Sequence, residues 1–426
     1  MQPSHARRRI WPWIRFGRNK PSLALREFLE GVLGDFHWPL EVTDWLGERY
    51  ALGGTEPHWS GRILRVHLKT PAAGRDLLRI DGMRFVERVL AGEVDLEGNL
   101  YAIPALSRRL GVWLRYRHLI GQLARVTAFQ SLARARSNVK SHYDIDQAVL
   151  ETYLDRAYLS YSCGIWEQPQ QLRVSELVRP GSGATDDFDS LEKAQWRKFQ
   201  DAVEFLAPGP GESLLDVGCG YGGQLRVALE ETAAARVVGW THSANQAEEG
   251  RKRLGAFDTT RWELNEGDYR EDERIFDHVA STGMVSHVGP RGLVPYVRNV
   301  RQRMRAGGRY LHHALMTPYQ RTPLDLQVGP VFHKKYVWPG FHWFTLADHL
   351  RALERNRFRV IRAVSLRPHY VKTTAAWYER MMNREDEMRR RLGDPTFRAW
   401  QLYLAGSSGS LVEGDIDVYR LYCEAV

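Results

Sequence analysis

The spacing of hydrophobic residues divides the chain into two regions with different predicted secondary structure. In the first region, Leu23 to Val32 repeats apolar residues with the period of a helix, and RILRVHLK (62–69) alternates like a strand. The segment RFVERVLAGEVDLEGNLYAIPAL then predicts a helix that ends near Gly92, followed by a short strand. We therefore expect residues 22–107 to form a small α+β domain.

From about residue 190 the pattern changes to short apolar runs separated by helical stretches. The runs are SLLDVGC (213–219), ARVVGW (235–240), FDHVAST (276–282) and GGRYLHHAL (307–315). Strands that alternate with helices join a mostly parallel sheet with helices on both of its faces. Residues 142–426 are therefore expected to form one α/β domain.

The composition is that of a globular protein with no membrane span. Of the 426 residues, 43% are hydrophobic and 26% are charged, and no apolar run approaches the length that crosses a bilayer. The first twenty residues contain no apolar segment long enough for a secretory signal. Three cysteines without metal-ligand spacing predict no metal site and favour a reducing compartment, so a cytoplasmic location is expected.

Basic residues are concentrated in two segments that we expect to face an anionic partner. The net charge is +9, and no acidic residue occurs between Gly98 and Tyr143. Residues 1–21 form a basic, aromatic tail that suits a membrane surface, and residues 108–141 form a basic helical linker. A solvated tail and a solvated linker are the alternative interpretations.

A glycine-rich turn, LLDVGCGYGG (214–223), follows the first strand of the larger domain, which ends in Asp216. Its spacing G-x-G-x-G differs from that of a phosphate-binding dinucleotide loop and is the form that S-adenosylmethionine (SAM) methyltransferases use. Within alternating strands and helices, it predicts a SAM site in a class I methyltransferase sheet of the Rossmann-like α/β type. A tight turn without a ligand is the alternative. The turn residues expected at the cofactor are Gly218, Cys219, Gly220 and Gly222.

The next two strands end in polar residues that suit a nucleoside. After the second strand, where most such enzymes have an acid for the ribose, the sequence has Thr241, Ser243 and Gln246, whose hydroxyl and amide groups can also bond a diol. After the third strand, Asp268 is expected to accept a hydrogen bond from the adenine amino group, with Tyr269 beside it. The alternative role of Asp268 is to cap a turn.

Several segments resemble the cyclopropane-fatty-acyl-phospholipid synthases and their mycolic-acid relatives. The family's Tyr-Ser-Cys element is similar to residues Tyr161, Ser162 and Cys163, and its Leu-x-x-Ala-Gln-x-x-Lys helix is similar to LEKAQWRKF (191–199), which implies that Gln195 lies near the cofactor. The resemblance covers about residues 140–426. Further counterparts are GMVSHVG (283–289), YVWPG (336–340), HYVKTTAAW (369–377) and EGDIDVYRL (413–421).

The resemblance implies transfer of a methylene group from SAM to a cis double bond of a phospholipid acyl chain, which gives a cyclopropane fatty acid. An alkene is a poor nucleophile, so it has to be held in line with the sulfonium methyl group in a dry, apolar pocket. The family uses a bound bicarbonate ion as the base that removes the proton. The residues that carry over to its cradle are Cys163 and Leu315 (through their backbones), His313, Tyr370 and, at the glutamate position, Ser286.

Ser286 is the main departure from the family pattern, because a serine brings no carboxylate. It puts the bicarbonate ion in doubt, although not the methyl transfer. With a weaker base, a hydride shift and proton loss would leave a methyl- or methylene-branched chain, so ring closure is expected to be slower or absent. Whether a partner reductase follows stays open, and the family also implies a homodimer.

Two other classes of function compete with a lipid-modifying enzyme. A nucleic-acid methyltransferase would explain the positive charge, but the chain has no Asn-Pro-Pro-Tyr-like motif, no paired catalytic cysteines and no RNA-binding signature. A non-catalytic protein that keeps the fold is the third class, and the intact turn with Asp216 argues against it. We expect a SAM enzyme that acts at the inner membrane surface, with no nucleic-acid partner.

Overall fold

The computed structural model describes residues 21–110, 147–319, 328–338 and 340–426. The predictions for the basic tail and for nearly all of the basic linker lie outside this part of the chain. Of the linker's basic residues, Arg108 and Arg109 are described, and both are paired within the protein: Arg108 with Glu413 and Asp415, and Arg109 with Asp35. No helix in the described ranges combines the length and the apolar character that a bilayer crossing requires.

The small domain is a four-stranded sheet covered by helices. The strand order is β2-β1-β3-β4, in which β1 and β3 run parallel and the other pairs are antiparallel. Leu64, Val66 and Leu68 of β3 alternate with more exposed residues and are buried, as the sequence pattern predicts. The elements are α1 (Pro21–Leu33), β1 (Leu40–Thr43), β2 (Arg49–Leu52), β3 (Leu64–Leu68), α2 (Pro71–Leu78), α3 (Gly82–Leu90), β4 (Val94–Gly98) and α4 (Ile103–Leu110).

The rest of the described chain forms one larger α/β domain. Its first half contains α5 (Gln147–Tyr153), α6 (Val174–Leu177), α7 (Leu191–Leu206), β5 (Ser213–Val217), α8 (Gly223–Glu231), β6 (Arg236–Thr241), α9 (Ala244–Leu254), β7 (Trp262–Glu266) and β8 (His278–Thr282). Its second half contains α10 (Leu293–Gln302), β9 (Arg309–Thr317), α11 (Val328–Phe332), β10 (Phe344–Thr345), α12 (Leu346–Arg355), β11 (Phe358–Ser365), α13 (Arg367–Met382), α14 (Glu385–Leu392), α15 (Asp394–Val412) and β12 (Asp417–Ala425).

The large sheet has the strand order β11-β12-β9-β8-β5-β6-β7, with β10 beside β9. Strands β5 to β9 pair in parallel, whereas β12 runs antiparallel between β9 and β11. The four apolar runs become β5, β6, β8 and β9, which confirms the predicted α/β fold class. The antiparallel end of the sheet was not predicted, because apolar alternation alone does not give strand direction.

The two domains share a close, partly charged contact through α13 and α15. Arg62 of the small domain donates two hydrogen bonds, of 2.7 and 2.9 Å, to the carboxylate of Glu379, and the Tyr101 hydroxyl donates a third of 2.7 Å. A Cβ atom on Gly409 of α15 would lie 2.2 Å from the carbonyl oxygen of Tyr101. Only glycine therefore allows the backbones to approach this closely.

Candidate active site

The carboxyl ends of β5, β6, β7 and β8 meet at one edge of the large sheet, and a cavity of about 280 Å³ lies there. Ligands of open α/β sheets bind at this edge. We call this the cofactor cavity. Among the residues that line it are these predicted cofactor residues: Tyr161, Ser162, Asp216, Gly218, Cys219, Gly220, Thr241, Gln246 and Tyr269.

The glycine-rich turn needs glycine because its backbone is left-handed. The φ angles are +81° at Gly218 and +55° at Gly220, a region that other residues rarely adopt. The Gly218 and Cys219 amides both donate to the carbonyl oxygen of Trp240, at 3.0 and 2.9 Å. A Cβ atom on Gly218 would also lie 3.0 Å from the Met284 side chain. The turn is thus held against β6 with bare backbone towards the cavity.

Asp216 is a buried carboxyl group in the cofactor cavity. Burial raises its pKa to about 7, although the nearby Lys198 ammonium lowers it. SAM carries a sulfonium and an ammonium group, and a cation in the cavity would favour the ionised carboxylate. The donor set and the glycine-lined backbone therefore fit SAM.

The side chains of Thr241, Ser243 and Gln246 are partly engaged in hydrogen bonds to one another and to the start of α9. The Thr241 hydroxyl donates to the Gln246 side-chain oxygen at 2.7 Å. The Ser243 hydroxyl caps α9 by accepting a hydrogen bond from the backbone N–H of Gln246. Thr241 and Gln246 line the cavity, and Ser243 does not. Gly222 lies behind the cavity as the cap residue of α8, with φ +79°.

Asp268 lies outside the cavity lining, and its carboxylate is already paired. It accepts hydrogen bonds of 2.8 and 2.6 Å from the Arg270 guanidinium and lies 3.3 Å from His242. Burial alone would raise its pKa, but these donors lower it. Asp268 also caps the short turn at 269–271, which is the alternative role considered for it. His242, Tyr269 and Arg270 line the cavity in its place.

Gln195 and Lys198 hold the Tyr-Ser-Cys segment in place through hydrogen bonds, and Lys198 was not predicted. The Gln195 amide donates to the Ser162 carbonyl at 2.9 Å. The fully buried Lys198 ammonium donates to Gln195 at 2.6 Å, to the Ser162 hydroxyl at 2.9 Å, and to Ser160. Gln195 is thus one step removed from the cavity. The Lys position of the Leu-x-x-Ala-Gln-x-x-Lys helix was the available signal for Lys198.

A second, smaller cavity of about 70 Å³ brings together four of the predicted catalytic residues: Cys163, His313, Leu315 and Tyr370. We call it the apolar cavity, because aromatic and aliphatic side chains form most of its wall. Its aromatic residues are Tyr161, Trp338, Phe341, Trp343, Tyr370 and Tyr403. Aromatic faces of this kind can stabilise a cation that develops beside them.

The two cavities adjoin, and they share Tyr161, Ser162, Gly283 and His287 as lining residues. Burial lowers the pKa of His287 to about 4, so its ring is neutral near pH 7. The shared wall therefore carries no charge. A methyl group held at this border of the cofactor cavity would therefore face the apolar cavity.

The protonation states of the apolar cavity exclude a thiolate. Burial raises the pKa of Cys163 to about 12, so Cys163 remains a thiol. Burial, together with Arg420 and Lys198, lowers the pKa of His313 well below its usual range. Ser286 is buried beside this site without lining it, and its hydroxyl has no hydrogen-bond partner among the described residues. Four of the five residues that the resemblance assigns to an anion cradle thus line one cavity, and the fifth position, Ser286, has no carboxylate.

The sheet, the glycine turn and the cofactor cavity define a SAM-dependent methyltransferase of class I. The chain belongs to the mycolic acid cyclopropane synthetase family, whose model matches residues 130–421. It is 27% identical over 413 residues to a probable fatty acid methyltransferase of Pseudomonas putida, covering 92% of this chain and 93% of that protein. It is 30% identical to the tuberculostearic acid methyltransferase UfaA1 of Mycobacterium tuberculosis, covering 67% and 64%.

A further relative agrees with this assignment, and a solved structure has the same fold. The cyclopropane-fatty-acyl-phospholipid synthase of Escherichia coli is 29% identical over 298 residues, 70% of each chain. The crystal structure of mycolic acid cyclopropane synthase CmaA1 with SAH and CTAB has a TM-score of 0.59 at 23% identity, and covers 68% of this chain and 98% of that chain. The predicted fold, family and SAM chemistry are therefore confirmed.

Proposed function

We propose that this protein transfers the methyl group of SAM to a cis double bond in the acyl chain of an unsaturated phospholipid, and that its main product is a methyl- or methylene-branched chain. A cyclopropane fatty acid is the second candidate product. The observation that supports methyl transfer to an alkene is the pair of adjoining cavities, one polar at the glycine turn and one lined with aromatic rings.

The chemistry requires the division between these two cavities. SAM supplies an electrophilic methyl group on sulfur. The alkene π electrons form the new C–C bond while the C–S bond breaks, which leaves a carbocation on the acyl chain. Tyr161 and Trp338 have their ring centroids 5.6 Å apart in the apolar cavity and can face that cation. The neutral wall at His287 excludes the hydrated polar groups that would capture it.

The final proton loss decides the product. Loss of a proton from the new methyl group of the first cation closes a cyclopropane ring. A 1,2-hydride shift instead moves the cation to the carbon that bears the methyl group, and loss of a proton from the methyl group or from the chain then gives a methylene- or methyl-branched alkene. Four cradle residues favour an anionic base in the apolar cavity, and Ser286 withholds the carboxylate that would orient it. Three of the relatives are fatty acid methyltransferases by name, which is consistent with the branched product.

The direct test incubates the purified protein with methyl-labelled SAM and vesicles of dioleoyl phospholipid, with saturated dipalmitoyl vesicles as the matched control. We expect label in the fatty acid only with the unsaturated lipid, and gas chromatography with mass spectrometry identifies a branched chain. Label in RNA at the same salt concentration, with none in the lipid, would overturn the proposal.

Ser286→Glu tests the origin of the product, with Ser286→Gln as a control of equal size and no charge. We expect Ser286→Glu to raise the ratio of cyclopropane to branched product at least tenfold, because it returns a carboxylate to the cradle. Ser286→Gln should leave that ratio within twofold of the wild type. An equal shift in both variants would mean that side-chain volume, and not charge, controls proton loss.

Membrane docking and a homodimer complete the proposal. A phospholipid acyl chain is accessible only at a membrane surface, and the basic segments 1–21 and 108–141 supply the charge for anionic lipids. Sedimentation with anionic vesicles, compared with neutral vesicles at equal salt, tests the docking. Analytical ultracentrifugation tests the dimer.

A further inference from the structure

Arg420 is a fully buried arginine directly behind the apolar cavity. It lies on β12, and its register partner on the adjacent antiparallel strand β9 is His313. The Arg420 Nε–H group donates to Nδ1 of His313 at 3.4 Å. Nη1 donates to the Lys198 carbonyl at 3.0 Å and to the carboxylate of Asp201. Nη2 is buried and has no hydrogen-bond partner among the described residues.

A guanidinium buried this deeply lowers the stability of the fold unless close partners offset its charge, so its presence calls for an explanation. Burial of a charge is unfavourable without close partners. The carboxylate of Asp201 is about one-third exposed, and one of the guanidinium nitrogens is left unpaired. No acidic residue lies among the described residues that line the apolar cavity. Arg420, paired with Asp201, therefore places a cationic group next to a cavity whose described lining holds no acidic residue.

The direction of the hydrogen bond determines the form of His313. Arginine in proteins stays protonated and can only donate. Nδ1 of His313 must therefore accept, and a neutral imidazole with Nδ1 as acceptor carries its proton on Nε2. The ring lines the apolar cavity, and no described residue forms a hydrogen bond with Nε2.

We propose that Arg420 is a positioning residue that holds His313 in the Nε2–H tautomer, so that the ring donates a hydrogen bond into the apolar cavity to a small oxyanion such as bicarbonate. The choice of bicarbonate rests on the proposed function, whereas the tautomer does not. In this arrangement His313 is a hydrogen-bond donor to the anion, and it does not take the proton from the acyl chain itself.

This assignment also accounts for an anion site without the cradle carboxylate. Ser286 brings no charge, while the Arg420 guanidinium, together with Lys198 when it is protonated, places positive charge near His313. This positive charge polarises the Nε2–H bond of His313, which makes that group a stronger hydrogen-bond donor to an anion in the cavity. A merely structural Arg420 would instead join β12 to α7 through Lys198 and Asp201, and its loss would not change the tautomer of His313.

The test uses full-length protein with ¹⁵N-labelled histidine, and the His313 signals are assigned by their loss in His313→Gln. Long-range ¹H–¹⁵N spectra distinguish the two neutral tautomers. We expect wild-type His313 to be entirely Nε2–H, and Arg420→Met to show a mixture. Asp201→Asn is the matched control, because it weakens the other anchor of Arg420 and should leave the tautomer unchanged.

Titration with sodium bicarbonate, without SAM or lipid, supplies the second measurement. We expect the Nε2 signal of His313 to shift with bicarbonate in the wild type and in Asp201→Asn. Arg420→Met should raise the apparent Kd for bicarbonate at least fivefold. If Arg420→Met does not fold, Arg420→Gln replaces it. Its amide is shorter, neutral and able to accept as well as donate, so we expect the same direction of change. An Nδ1–H tautomer in the wild type, or an unchanged tautomer in the Arg420 variant, would overturn the proposal whatever the methyl-transfer assay gives.

Discussion

The cofactor cavity and the apolar cavity lie on the two sides of Tyr161 and His287, but they are built in different ways. The cofactor cavity lies at the carboxyl ends of neighbouring parallel strands, and the left-handed glycines of one turn are part of its lining. The apolar cavity is formed by side chains from β9, α13, α15 and the segment around Trp338. The first is therefore fixed by local chain geometry, and the second depends on how distant elements pack.

This difference means that each cavity can be damaged alone. A change of backbone at the glycine turn should weaken SAM binding and leave the apolar cavity intact. A shift of α15 should change the apolar cavity, because Tyr403, Ser407 and Leu411 line it, and should leave SAM binding intact.

Gly218→Ala should have the largest effect of the variants that separate the two cavities. The left-handed backbone of Gly218 costs an alanine about 1–2 kcal/mol, and crowding against Met284 adds about 1–3 kcal/mol. We expect the Kd for SAM, measured by isothermal titration calorimetry, to rise roughly 100-fold.

Gly307→Ala is the control for backbone strain. Gly307 has a similar φ of +79°, and no atom lies within 4 Å of an added Cβ. This variant should lose some thermal stability and bind SAM within twofold of the wild type. Equal losses of SAM affinity in the two variants would show that general strain, and not the shape of the turn, determines binding.

Gly409→Ala should disturb the apolar cavity from the opposite side of α15. The added Cβ would lie 2.2 Å from the Tyr101 carbonyl oxygen and 2.9 Å from Cδ of Pro104. Because backbone cannot yield easily, α15 has to move, at a cost of about 1–3 kcal/mol of unfolding free energy. We expect a lower Tm and a roughly tenfold slower methyl transfer, with the Kd for SAM unchanged.

Gly406→Ala on the same helix is its control. No atom lies within 4 Å of a Cβ there, and alanine is favoured over glycine inside a helix by about 0.8–1 kcal/mol. The Tm should stay equal or rise. A loss of SAM affinity in Gly409→Ala would contradict the separate construction of the two cavities.

The same difference explains what the sequence could predict. The strands β5, β6, β8 and β9 and the left-handed turn follow from local patterns, since alternation and glycine spacing act over a few residues. The pairing of Asp268 with Arg270 is also local, but a carboxylate in a turn has several competing partners and the sequence does not rank them.

The apolar cavity required a family resemblance, because its residues meet only after folding. His312 and His313 are adjacent, and strand geometry sends them to opposite faces: His312 bonds Tyr310 and His349, and His313 faces the cavity. Nothing in the local pattern says which face becomes the site. Arg420, which is more than a hundred residues from His313, carried no local signal at all.

The smallest expected effect is a pH dependence that belongs to the cofactor cavity alone. Burial raises the pKa of Asp216 to about 7 in the free protein. A bound cation favours the carboxylate, so SAM binding releases a proton wherever Asp216 starts protonated. The affinity should therefore be constant above pH 7 and fall with decreasing pH below it, by up to about tenfold per unit, since one pKa unit corresponds to about 1.4 kcal/mol.

Titration calorimetry at pH 6 and pH 8, in two buffers of different ionisation enthalpy, measures both the Kd and the protons released. Asp216→Asn should bind SAM more weakly and lose most of the proton release. Burial also lowers the pKa of Lys198, and its protonation at low pH would oppose SAM in the same direction, so a small residual slope in Asp216→Asn would belong to Lys198. A wild-type Kd equal at both pH values would mean that SAM does not approach the Asp216 carboxylate, and the cofactor cavity would have to hold the cation elsewhere.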